Sequence, residues 1–269
     1  HQGDLAAARR HLERSLEVLD ECGDALGVAN ALANLGRIAL QSHDLEAARR
    51  LSLRHLALRR ESGDPWALAS ALRLLASVAA TEGGLAEAVR LCDEALALLE
   101  RVGDQGGVAD VLNDLIDVLT WLGDYERAGR TAERSIALYG ELGMDSGVAA
   151  SLAQRGQLRR LQGDLGGAEA DLQASLALYR RLGDERACWC VVAGLGEVAS
   201  ASGRWLRAAR LLGAAVETGL AIDAHAPAGR EDRARMMADA IEALGRSRFD
   251  EAAAEGRVWS FEEAMAYVA

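Results

Sequence analysis

Arg155 and Arg159 are the residues whose type and spacing most suggest chemistry. Four residues apart, they share one face of a helix, and paired guanidiniums can clamp a carboxylate or another anion through parallel hydrogen bonds. Asp110, Asp114 and Asp117, earlier in the chain, supply carboxylates that could neutralise them instead. The residues alone leave both readings open: an anion-binding notch, or an ion-paired contact with the arginine stems packed and their heads at the surface. Catalytic constellations are missing. Neither Gly-x-Ser-x-Gly nor His-Glu-x-x-His occurs, and the absence of lysine excludes a phosphate-gripping or Schiff-base lysine within the sequence.

The other reactive side chains are scattered. Cys188 and Cys190 stand two apart and point in different directions on a helix, so with Cys22 and Cys92 they read as buried, reduced thiols and not as zinc ligands. His1, His11, His43, His55 and His225 lack neighbouring ligand sets. The expectation is no metal, no cofactor and no enzyme. A net charge of −11 argues against a nucleic-acid or anionic-membrane surface. No apolar run reaches the length of a membrane span and no signal peptide opens the chain, which points to the cytoplasm.

What must position these residues is a repeat. Gly-Asp occurs at Gly3-Asp4, Gly23-Asp24, Gly63-Asp64, Gly103-Asp104, Gly123-Asp124, Gly163-Asp164 and Gly183-Asp184. Degenerate copies at His43-Asp44, Gly83-Gly84, Gly143-Met144 and Gly203-Arg204 complete a spacing of twenty residues. A left-handed glycine ends one helix and an aspartate caps the next, so the spacing predicts helices of about four turns joined by tight turns. Alternate helices resemble each other best. One class begins near Ala25, Pro65, Gln105, Asp145 and Glu185, the other near Leu45, Leu85, Tyr125, Leu165 and Trp205. Together they form a forty-residue helix pair, repeated five times after a leading half unit launched by Gly3-Asp4. Alanine holds one second-class column throughout (Ala8, Ala48, Ala88, Ala128, Ala168, Ala208), which lets helices approach closely. A single pair cannot bury both its faces, so the pairs must stack.

The pattern of a large residue, x-x-Leu-Gly, then Gly-Asp with an aromatic or leucine, then x-x-Ala, resembles the tetratricopeptide repeat over roughly residues 1–220. The resemblance implies an all-α, right-handed superhelical solenoid of antiparallel helix pairs, whose first-class helices line a concave groove. On that face stand Asn30, Arg37, Arg73, Ser77, Asn113, Asp117, Gln157 and Glu197; with Arg155 and Arg159 they are the candidate ligand-binding residues, against the plainer reading of a solvated helix face.

After Trp205 the rhythm fails. A turn is expected at Ala224-His225-Ala226-Pro227, a helix from about Ala228 to Leu244, a short one near Phe249–Ala254, and a last one opened by a capping box at Ser260-Phe261-Glu262-Glu263. The division expected is a repeat domain over 1–222 and a helical cap over 223–269, with Trp259, Phe261 and Tyr267 as its bulk. This tail, from Ala208-Ala209-Arg210-Leu211-Leu212-Gly213-Ala214-Ala215 through Glu255-Gly256-Arg257-Val258-Trp259-Ser260-Phe261-Glu262-Glu263-Ala264-Met265, is similar to the C-terminal end of large bacterial ATPase regulators of the maltose-activator, LuxR and AfsR types. That similarity implies a sensor or interaction arm binding a protein segment, peptide or small inducer. The chain opens at His1 without an initiator methionine, and an ATPase would lie upstream in the same protein. A passive scaffold without a ligand of its own is the alternative.

Overall fold

Every twenty residues the backbone crosses into the left-handed region. Gly23, Gly63, Gly83, Gly103, Gly123, Gly143, Gly163, Gly183 and Gly203 take φ between 67° and 88°, and His43 fills the same place at 58°. Glycine meets no Cβ penalty there, which is why it ends these helices. The following aspartate caps the next helix. Asp24, Asp44, Asp104, Asp124, Asp164 and Asp184 each accept a hydrogen bond from the backbone N–H three residues on, at 2.9–3.1 Å. Asp64 accepts from Trp66 and Ala67, with Pro65 at the first helical position. Gly84 and Met144 cap without a side-chain bond.

The computed structural model describes residues 2–216 and 227–268. Among these it is entirely helical: α1 Gln2–Glu21, α2 Ala25–Gln41, α3 Leu45–Ser62, α4 Pro65–Thr81, α5 Leu85–Val102, α6 Gln105–Leu122, α7 Tyr125–Glu141, α8 Asp145–Leu161, α9 Leu165–Leu182, α10 Glu185–Ala201, α11 Trp205–Val216, α12 Pro227–Leu244, α13 Arg246–Arg257 and α14 Phe261–Val268. Two expectations need correction. Gly3-Asp4 lies inside α1, which begins at Gln2. The short helix near 249–254 is longer, Arg246–Arg257, since Gly245 at φ 78° lets the chain turn directly into it. The turn expected at 224–226 lies outside the described residues.

The chain forms two compact units that divide within α6, one through Val118 and one from Leu119 onward. In the first, α1 packs on α2, α2 on α3, α3 on α4 and α4 on α5; α2 also touches α4. The second repeats the scheme from α7 to α11, and α8 touches α10. The alanine column explains the close approach: Ala48, Ala88, Ala128, Ala168 and Ala208 are fully buried. Leu32, Leu72, Leu112 and Val192 fill the first-class core positions.

The second unit ends in α11–α14. A Cβ on Gly256 would lie 1.9 Å from the Arg210 carbonyl and one on Gly213 2.2 Å from that of Ala253, so α11 and α13 meet backbone to backbone. The Ser260/Glu263 capping box forms, with Ser260 N–H donating to Glu263 Oε2 at 2.7 Å. Trp259 packs on Tyr267 with centroids 4.5 Å apart and planes tilted by 43°, and Phe261 meets Trp189 edge-on at 6.0 Å.

Candidate functional site

Ion pairs between neighbouring repeats run along both helix classes. Second-class helices carry ion pairs between neighbouring repeats: Arg54 with Asp20, Arg49 with Glu87, Arg60 with Glu94, and Arg204 with Glu169. Exposed pairs of this kind each contribute little, so they align repeats more than they stabilise them. On the first-class helices Arg37, Ser77 and Asp117 occupy one column and are exposed in all three copies.

In the first unit that face is polar and partly tied. Arg37 donates to Asn34 one turn back, and the Ser77 hydroxyl donates to the Arg73 carbonyl at 3.1 Å. Arg73 reaches across to α6, with Nε at 2.6 Å from Asp114 and Nη1 at 3.1 Å from Asp110. Burial acts to lower the Arg73 pKa, but Asp114 and Asp110 outweigh it and the net shift is upward. The Asp114 carboxyl is pushed up by burial, against the pull of Arg73. Asn30 accepts from Arg59 of α3, and Asn113 stands half-buried between Asp110 and Asp117 on α6. Behind Asn30, Arg59 Nε donates to His55 Nε2 at 3.2 Å. His55 is 2% exposed, with burial and the Arg59 charge lowering its pKa to about 4. Its Nδ1 and the Ser52 hydroxyl are buried without a hydrogen-bond partner.

In the second unit the arginines behave differently from expectation. The carboxylate gripped by Arg155 and Arg159 is Asp171 of α9. Arg155 bonds it bidentately at 2.8 and 2.7 Å, and Arg159 Nη1 lies 3.0 Å away. The reason is register: Arg155 stands in the column of Leu35, Leu75, Leu115 and Leu195, which faces the second-class helix of its own pair. The bonds to Asp171 raise the Arg155 pKa, with Coulombic help from Asp171 and Glu133. These two arginines therefore stand apart from Gln157, which accepts from Arg160 Nε at 3.0 Å. Arg160 is 6% exposed and also meets Glu197, 5% exposed, at 3.7 Å.

Sequence reasoning missed Asp171 and undervalued Arg160. Asp171 replaces leucine in the column of Leu51, Leu91 and Leu211. Its departure coincides with that of Arg155 in the facing column, and that coincidence was the readable signal. The cysteine expectation is half right: Cys92 and Cys188 are buried, but Cys22 and Cys190 are exposed. Cys22 lies in the turn after α1, and Cys190 shares the outward column of Asn30 and Ser70. Among the described residues no group of three His, Cys, Asp or Glu is placed to hold a metal ion, and no helix is long and apolar enough to cross a membrane.

A family model of the tetratricopeptide repeat matches residues 1–61, 67–141 and 107–181. No curated protein matches the chain. Among solved structures, BtubC (BKLC) from P. vanneervenii is 21% identical over 82% of this chain and 92% of that one, with a TM-score of 0.63. A signal transduction ATPase with numerous domains and a tetratricopeptide repeat sensor, from Pyrococcus horikoshii, is 15% identical over 96% of this chain with a TM-score of 0.63. The match spans only 41% of that ATPase. A Rap protein complexed with Competence and Sporulation Factor is 12% identical, covering 98% of this chain and 85% of that one, with a TM-score of 0.62. At these identities the likeness is one of fold.

Proposed function

Because the chain belongs to the tetratricopeptide repeat family, whose members are generally non-catalytic interaction modules, we propose that it binds a protein segment or peptide on its first-class helix face. We further propose that it serves as the sensor arm of a multidomain bacterial transcriptional regulator with an upstream ATPase. The observation that carries the binding reading is the column of Arg37, Ser77 and Asp117, polar and exposed while the core beneath it is closed. Beside it Arg73, Asp110 and Asp114 form a charged cluster that adds to the polar character of this face. The regulator reading draws support from the tail motif and from the fold shared with the sensor-bearing ATPase. The likeness to a Rap protein solved in complex with Competence and Sporulation Factor supports a bound ligand over a passive scaffold.

Selecting a random peptide library on the purified chain tests binding and separates it from a passive scaffold. The expected outcome is enriched peptides whose affinity falls about tenfold or more on Ser77→Trp and is unchanged on Arg60→Ala, in a second-class helix. No enrichment, or peptides indifferent to Ser77→Trp, overturns it.

A further inference from the structure

The column exposed at Arg37, Ser77 and Asp117 closes in the second unit: Gln157 is half-buried and Glu197 is 5% exposed. In the next column Arg160 and Ser200 are 6% and 1% exposed. That next column is buried in earlier copies too, at Ala80 (8%) and Thr120 (3%), so what sets the second unit apart is helix α12 lying against Arg160 and Ser200. Its Asp232 carboxylate accepts from Arg160 Nη2, its Met236 Sδ lies 3.4 Å from Arg160 Nη1, and the Met236 carbonyl accepts from Ser200 Oγ at 3.4 Å. A helix of the chain's own tail thus occupies the face assigned above to a partner.

Its grip there is slight. From Glu231 to Asp239 the one buried side chain among those described is Met236; Glu231, Ala234, Arg235, Met237, Ala238 and Asp239 are exposed. The second half of α12 is held separately, with Ala240, Ile241 and Leu244 packed around Phe249, Ala209 and Ala253. The charges also permit exchange. A buried cation stripped of its partner is strongly unfavourable, but Arg160 keeps Glu197 and Gln157 when Asp232 withdraws.

We propose that the first half of α12 is an internal plug that competes with an incoming helix for the Arg160 site. The partner is an amphipathic helix carrying a carboxylate with methionine or leucine four residues later, the spacing at which Asp232 and Met236 meet one face. The carboxylate takes over the Arg160 guanidinium and the apolar side chain replaces Met236. This rests on the reading that first-class helices bind protein segments, and adds which segment the second unit selects.

The test uses the full chain and a fluorescent peptide with the sequence of residues 227–244. Anisotropy should show weak binding to the wild type and an affinity at least about tenfold higher on Asp232→Arg, which unseats the plug. Adding Arg160→Gln should remove the gain, and a peptide with its own Asp232→Asn and Met236→Asn changes should not bind. An Asp232→Arg affinity equal to wild type overturns the plug; if library peptides still bind at Ser77, the general binding reading survives that failure. Hydrogen exchange on the unaltered protein needs no variant. Saturation with the peptide carrying Met236→Leu, distinguishable by mass, should speed exchange at residues 231–236 while α11 and α13 stay protected. Unchanged exchange at 231–236 under saturation overturns the proposal.

Discussion

Asp171 shows how much rests on single side chains. It is 5% exposed and is the carboxylate that both Arg155 and Arg159 hold. Asp171→Asn keeps the shape but removes the charge, so thermal or urea unfolding should show a loss of about 3 kcal/mol, the usual cost of breaking a buried pair. Arg155→Leu restores the residue of neighbouring copies and leaves Asp171 with Arg159, so it should lose less; the reverse order would contradict the assignment. His55 makes a second prediction. Its pKa is about 4 when folded against 6.5 for the free side chain, so between those values the unfolded chain binds more protons. The stability it contributes is full above pH 6.5 and lost as pH falls toward 4, with a ceiling of about 3 kcal/mol. His55→Ser, which copies Ser135 and Ser175, should flatten the pH dependence of unfolding over that window; an unchanged slope would show that His55 is not its source.

Turns decide where helices begin and end, and they were the most legible feature of the chain. A left-handed backbone residue followed by a capping carboxylate is a local demand, so Gly23-Asp24 or Gly183-Asp184 announces itself without knowledge of the fold. Long-range pairing was less legible. That Arg155 meets Asp171 depends on which face of α8 turns toward α9, and Arg160 finds Asp232 in α12, outside the repeat and its columns. The turn before α8 offers paired tests of opposite sign. Met144 caps without a side-chain bond, in a backbone conformation close to that of the capping aspartates. Met144→Asp should therefore raise stability by about 1 kcal/mol. In the same turn a Cβ on Gly147 would lie 2.3 Å from the buried ring of Tyr139. Gly147→Ala should cost roughly 1–3 kcal/mol through that overlap. Melting temperatures moving in the same direction would refute this account of the turn.

At the scale of the molecule, ion pairs link neighbouring repeats on both classes of helix, Arg49 with Glu87 on one and Arg73 with Asp110 and Asp114 on the other. On the reading proposed above, a partner meets the first-class helices, at Arg37, Ser77 and Asp117 in one unit and at the Arg160 site in the other. The direct measurement is where a bound peptide touches. A library-selected peptide carrying a photo-reactive side chain should label residues of α2, α4, α6, α8 or α10 when its cross-links are mapped by mass spectrometry. Labels confined to α3, α5, α7 and α9 would contradict the account.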